Sequence, residues 1–342
     1  MIEQLDLNLV WFILIGVLLA GYALLDGFDF GVGILHLFTK TDTERRLMIN
    51  AIGPVWDGNE VWLVTSGGAL FAAFPDVYAT LTSGFYIAVF MLLFALIFRA
   101  IAIEFRSKET MAWWRQMWDV SFSVSSFLSS FLLGVVLGNL VWGVPLDARH
   151  EFAGNFWTLL NPYALMVGVT TVALFAMHGA IYVLLKTEGD LHKKMRSWIN
   201  NCIILFIMCF GMTTLVTLVY LPHMADMMRM HPVFFIIPVL NMLAIANIPR
   251  EVHHGRDFNA FLSSCAAMFA FLFLFGIGIF PNLVTSNPNP EFSLTIYNAA
   301  SSPKTLSIML TIAMLGMPFV VGYTATIYWI FRGKVKLDET SY

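Results

Sequence analysis

The run Val10–Leu37, VWFILIGVLLAGYALLDGFDFGVGILHL, decides the fold. A hydrocarbon core of about 30 Å needs about 20 apolar residues of helix, and this run exceeds that length. It nevertheless holds two acids, Asp26 and Asp29. Eight more apolar runs follow, near 50–74, 78–103, 118–142, 162–185, 199–221, 233–247, 259–280 and 305–331, the one at 233–247 being the shortest. The expectation is an all-α polytopic integral membrane protein with nine transmembrane helices.

Composition agrees. The 342 residues are 58% hydrophobic and 12% charged, with a mean hydropathy of +0.76, whereas soluble domains run near one quarter charged. With 19 Lys+Arg against 22 Asp+Glu, the chain lacks the basic surplus of a nucleic-acid binder. Cys202, Cys209 and Cys265 all sit in apolar runs, which excludes a disulfide scaffold and a Cys-ligated zinc or iron–sulfur site.

Basic residues give the orientation, because Lys and Arg accumulate on the cytoplasmic side. Loops on one side, including Lys40, Arg45, Arg46, Arg99, Arg106, Lys194 and the tail, collect 16 of the 19; the other side holds Arg149, Arg229 and Lys304. The N-terminus is therefore expected outside and the C-terminus inside. The N-terminal tail carries Glu3 and Asp6 and no basic residue, so the first run lacks a signal peptide's charged start and reads as a retained helix.

A faint repeat links Lys40-Thr41-Asp42 with Lys186-Thr187-Glu188, and Gly33 with Gly179, at an offset of 146. It implies two parallel four-helix units with the ninth span extra; chance similarity of two basic loops is the alternative. On this division residues 1–142 form a first bundle with embedded carboxylates and 143–280 a second. Residues 281–342 form an outer loop, the ninth helix and a cytoplasmic tail.

The halves differ chemically: Asp26, Asp29, Asp57 and Glu60 all lie in spans one and two. A membrane-embedded carboxylate costs about 2–3 kcal/mol on insertion scales and marks a functional site by default. Each pair is three residues apart and so shares a helix face. At 1.5 Å rise, Asp29 and Asp57 come about 12–13 Å from the cytoplasmic end, Asp26 and Glu60 about 15–18 Å. The antiparallel hairpin thus predicts two facing levels of acids, a ladder suited to proton uptake. The competing reading is that the acids staple helices together. Asp119, at the start of span four, reads as a solvated loop-end acid or a proton entrance.

Gly27, Gly31 and Gly33 on span one, and Gly58, Gly67 and Gly68 on span two, read as close-packing positions. Trp113 and Trp114 suit interfacial anchoring. Trp56 and Trp62 flank the acids, where a quinone ring or a gas path would run. Of eight histidines only His178 lies deep in a span, so the two facing histidines of a bis-His haem are missing, and His178 reads as a hydrogen-bonded core residue.

These residues also carry a family resemblance. Leu25-Asp26-Gly27-Phe28-Asp29-Phe30-Gly31-Val32-Gly33, Glu44-Arg45-Arg46-Leu47-Met48-Ile49-Asn50 and Trp56-Asp57-Gly58-Asn59-Glu60-Val61-Trp62-Leu63 resemble the signature of subunit II of cytochrome bd-type quinol oxidases. So do Gly67-Gly68-Ala69-Leu70-Phe71-Ala72-Ala73-Phe74-Pro75, Phe98-Arg99, Met117-Trp118-Asp119 and Leu160-Asn161-Pro162. The resemblance is dense through residue 120 and mostly topological beyond residue 190.

It implies two four-helix bundles plus a peripheral ninth helix, in a bacterial or archaeal plasma-membrane complex that oxidises quinol and reduces O2 to water. A partner subunit I would carry two b-type haems and one d-type haem or a third b-type, and some members add a small single-helix subunit. Asp26 and Asp57 would lie on a proton path, Trp62 beside an O2 route and Trp56 near a structural quinone. Glu60 stands where some members carry Gln. Whether the quinol is ubiquinol or menaquinol stays open. The alternative from another class is a proton-coupled secondary transporter, whose repeats usually place acids or broken helices in both halves.

Overall fold

The computed structural model describes residues 6–337 and 341; Glu3 lies outside the described residues. Asp6 caps the first helix, α1 (Leu7–His36), its side chain accepting from the N–H groups of Asn8 and Leu9. Thr41 and Glu44 form a capping box that starts α2 (Asp42–Ile52). The chain turns at Gly53-Pro54 before α3 (Trp56–Ala73). Pro75 opens the short α4 (Pro75–Gly84), and α5 (Tyr86–Phe105) and α6 (Ala112–Trp142) follow. Asn161 caps α7 (Pro162–Lys186) with Pro162 in its first turn, where a missing N–H costs nothing. Next come α8 (Gly189–Tyr220), the one-turn α9 (Asp226–Met230), α10 (Ile236–His253) and α11 (Asp257–Ile279). Last is α12 (Pro303–Ile330), capped by Ser302.

Eight of these helices are long and apolar enough to cross a membrane, so the chain is an all-α polytopic membrane protein. The expected second span, 50–74, is different: its first residues belong to α2, and only the 18 residues of α3 continue across. Asp57, Gly58, Asn59 and Glu60 keep α3 too polar to count among the eight. The third span also starts later than expected, at Tyr86, because Tyr78 belongs to α4.

α1 runs through the centre, packed on α3, α6, α7 and α11. It crosses α7 backbone to backbone: a Cβ on Gly31 would fall 1.9 Å from the carbonyl oxygen of Phe175, and one on Gly179 2.4 Å from the carbonyl carbon of Gly31. Of the two glycines that the repeat pairs, Gly179 therefore meets Gly31, while Gly33 abuts Ser126 on α6. On span one the packing reading of the glycines holds. On α3 no neighbouring element of this chain packs there: at Gly58, Gly67 and Gly68 a Cβ would meet open space.

At the end away from α2, the connections 143–161 and 281–302 fold over the helices. Strands β1 (Asn282–Val284) and β2 (Leu294–Thr295) pair antiparallel there, and Val144 bonds the backbone of Thr285. α12 stays at the periphery with most of its length exposed. It is tied near one end by Trp11 Nε1, which donates to Leu306 O at 3.0 Å.

Candidate functional site

Asp26 and Glu60 do share a level, and Arg99 joins them. Its Nη2 donates to Asp26 Oδ1 and to Glu60 Oε1, each at 2.6 Å. Arg99 and Asp26 are fully buried and the Glu60 side chain is 24% exposed. The guanidinium stacks 4.1 Å over the Phe30 ring, a cation–π contact strengthened by the apolar surroundings. Arg99 is thus no loop residue, as the basic-residue count had it, but an interior residue of α5. The signal for it was available: an arginine inside Leu96-Ile97-Phe98-Arg99-Ala100, at the depth of two acids.

The second expected level does not form. Asp29 is buried and faces Asn59, whose Nδ2 donates to Asp29 Oδ2 at 2.7 Å and to Leu25 O at 3.1 Å. Asn59 Oδ1 in turn accepts from the Tyr328 hydroxyl of α12 at 2.9 Å. Asp57 points away from both and is exposed, on a face of α3 that also presents Gly58, Val61, Val64, Thr65, Gly68 and Phe71. Trp56 is buried in the core at the start of α3. Trp62 lies across α1, its Cε3 filling the space of a Cβ on Gly21.

Asp119 is neither solvated nor alone. It is 1% exposed and meets three cationic or cation-forming groups: His36 Nε2 at 2.5 Å, Arg106 Nε at 2.6 Å and Arg45 Nη1 at 2.7 Å. Arg106 also bonds Asp42 at 2.8 Å. One carboxylate thereby binds the ends of α1 and α5 to α2. Nearby, Glu44 bonds Lys194 of α8 at 2.9 Å. Partial burial pushes the Glu44 carboxyl up, but the hydrogen bonds from Lys194 and the Lys40 and Thr41 N–H groups outweigh it and hold it below the ordinary range.

His178 is a bonded core residue. Nδ1 lies 2.7 Å from Ser264 Oγ and Nε2 3.1 Å from Leu24 O, while Phe261 stacks on the ring at 5.1 Å. With both nitrogens engaged, the residue does not fit a haem iron, which needs a free ring nitrogen.

A buried Asp–Arg–Glu triad, a second bonded acid and an exposed acid thus stand along one hairpin of a membrane protein. Known proteins resemble this chain over nearly its whole length. The family model for cytochrome bd terminal oxidase subunit II matches residues 7–331. The chain is 35% identical to the cytochrome bd-I ubiquinol oxidase subunit 2 of Escherichia coli K12, over 99% of this chain and 98% of that one. It is 35% identical to the cytochrome bd ubiquinol oxidase subunit 2 of Bacillus subtilis, over 98% of each. A solved bd oxidase from Geobacillus thermodenitrificans shares the fold, with a TM-score of 0.81 at 17% identity over 96% of this chain and 99% of that one. With nearly its whole length matched, the chain belongs to the cytochrome bd terminal oxidase subunit II family.

Proposed function

We propose that the chain works as subunit II of a plasma-membrane quinol oxidase, beside a subunit I that holds the haems, two b-type and one d-type or a third b-type. Quinol oxidation and O2 reduction to water belong to subunit I. This chain supports it and passes protons from the cytoplasm through Asp57, Glu60, Asp26 and Asp29. Nine spans with the N-terminus outside belong to the same reading, with α3, about 27 Å long at 1.5 Å per residue, as the second. So does the division into two bundles, 1–142 and 143–280, and a peripheral remainder, 281–342.

The observation that carries the proposal is the exposure of Asp57 on the glycine-lined face of α3, one turn from Glu60. A carboxylate at membrane depth does not face lipid; it faces protein or a water-filled cavity. Backbone left open at three glycines lets a partner helix approach closely. That face suits subunit I, with Asp57 handing protons across the seam. Arg99 sits between two carboxyl groups, Asp26 and Glu60, so the triad has one more acid than base and a place to hold a proton. In the same reading O2 enters along the apolar surface that Trp62 borders, and a structural quinone lies beside Trp56.

The test is the tagged complex purified in mild detergent, with a reduced-minus-oxidised spectrum and quinol-driven O2 uptake. Asp57→Asn and Asp26→Asn are expected to keep the haem bands and lose about a hundredfold in turnover, the lower end of a proton-transfer contribution. Full turnover in both variants would refute the path. A colourless chain purified without a second large subunit would refute the oxidase reading itself.

A further inference from the structure

The last long helix makes a directed contact with the polar interior. α12 is exposed over most of its length, yet Tyr328 reaches in from its end and donates its hydroxyl proton to Asn59 Oδ1 at 2.9 Å. Asn59 is 2% exposed, and both protons of its amide nitrogen are committed, to Asp29 Oδ2 and Leu25 O. Turned over, the amide would set its oxygen against the Leu25 carbonyl, two acceptors without a proton between them. A phenol that donates to Oδ1 favours the observed orientation. Asp29 then has one oxygen occupied by an N–H, while the other, Oδ1, has no partner among the described residues.

We propose that Tyr328 is a positioning residue: through Asn59 it fixes which oxygen of Asp29 is free to exchange a proton, so that α12 sets the state of the buried acid pair. The proposal rests on the proton-path reading for its consequence in turnover, though not for the geometry. The ionisable groups around Asp29 are Asp26 on α1, Glu60 on α3, Arg99 on α5, Tyr182 on α7 and Tyr328 on α12, and of these Tyr328 is the one whose side chain hydrogen-bonds the Asn59 amide. The orientation of the amide therefore depends on Leu25 and Asp29 on its nitrogen side and on Tyr328 on its oxygen side. Phe28 supports the arrangement, stacking on Tyr182 at 3.8 Å and meeting the edge of Tyr328 at 6.5 Å.

The experiment uses the assembled oxidase and infrared difference spectroscopy. The band of Asp29, carboxyl or carboxylate, is the one that Asp29→Asn abolishes. Tyr328→Phe, which keeps the ring and removes the hydroxyl, is expected to shift that band and slow quinol-driven O2 uptake about fivefold, the loss equivalent to one hydrogen bond. Trp11→Phe removes a tie at the far end of α12, the bond to Leu306, and is expected to leave the band in place. An unshifted band in Tyr328→Phe would overturn the proposal, as would the same shift in Trp11→Phe, which would make anchoring of the helix the cause. Failure of Tyr328→Phe to assemble would overturn it too, because a hydroxyl that only orients Asn59 is dispensable for folding. Full turnover in Asp29→Asn, together with a shifted band in Tyr328→Phe, would instead remove Asp29 from the proton path and leave the positioning role intact.

Discussion

Arg99 donates to Asp26 Oδ1 at 2.6 Å with neither side chain exposed to any measurable extent. A pair of this kind contributes little net stability over an apolar replacement, but removing one partner strands the other charge at a cost of about 3–5 kcal/mol. Arg99→Gln strands two, Asp26 and Glu60. It is therefore expected to cut the yield of assembled complex sharply and lower its midpoint of thermal unfolding. Arg99→Gln with Asp26→Asn should recover much of the loss. Fluorescence-detected size exclusion after a heat step reads both; equal loss in the single and double variants would show that the charge of Asp26 is not what Arg99 offsets.

Asp119→Asn tests the second cluster. The amide cannot satisfy His36, Arg45 and Arg106 together, so Arg45 loses its carboxylate and Arg106 keeps only Asp42 inside a nearly closed site. The expected cost is again about 3–5 kcal/mol, concentrated where α2 is pinned to α1 and α5. Hydrogen exchange should rise in residues 42–52 and stay unchanged across α8. Uniform protection across the chain would show that other contacts hold α2.

The hairpin acids and the depth match of Asp26 with Glu60 were legible because helical rise and a three-residue spacing are local properties. Arg99 was missed because its charge had already been assigned to a cytoplasmic loop, and a count of basic residues treats span and loop alike. The break before α3 was readable in Gly53-Pro54, a strong turn dipeptide, but an apolar run long enough for a span masked it. Asp119 was not legible: its partners come from residues 36, 45 and 106, and no sequence spacing brings those together. The same holds for Tyr328 and Asn59, separated by 269 residues. The transporter alternative drew on the acids and the faint repeat alone, and membership of the subunit II family replaces it.

The glycines of the hairpin separate folding from assembly. Gly31→Ala places a methyl where the Phe175 carbonyl oxygen stands, and backbone cannot give way as a side chain would. It is expected to cost at least about 1–3 kcal/mol, the usual range for overpacking, and to deplete this chain from membranes. Gly68→Leu meets open space within the chain, so the chain should still accumulate. If α3 packs against subunit I, that variant should lose co-purification of the haem-bearing subunit. Retention of the partner in Gly68→Leu would place the seam on another face.

Glu44 supplies a pH dependence outside the membrane. Its carboxyl is held below the ordinary value of 4.5 by Lys194 and two backbone N–H groups, against the upward pull of partial burial. The folded protein thus binds this proton less readily than the unfolded chain. The stabilisation is present above the ordinary carboxylate value and is lost as pH falls through the lowered one. For a partly exposed ion pair it amounts to about 0.5–1 kcal/mol. Glu44→Gln should therefore unfold at a lower temperature than the unaltered complex at pH 7, and the gap should narrow as pH is taken below 4.5. Thermal unfolding followed from pH 7 downward reads the difference directly. A gap that stays constant down that range would mean that Glu44 holds α2 through its capping geometry alone, with its charge contributing nothing.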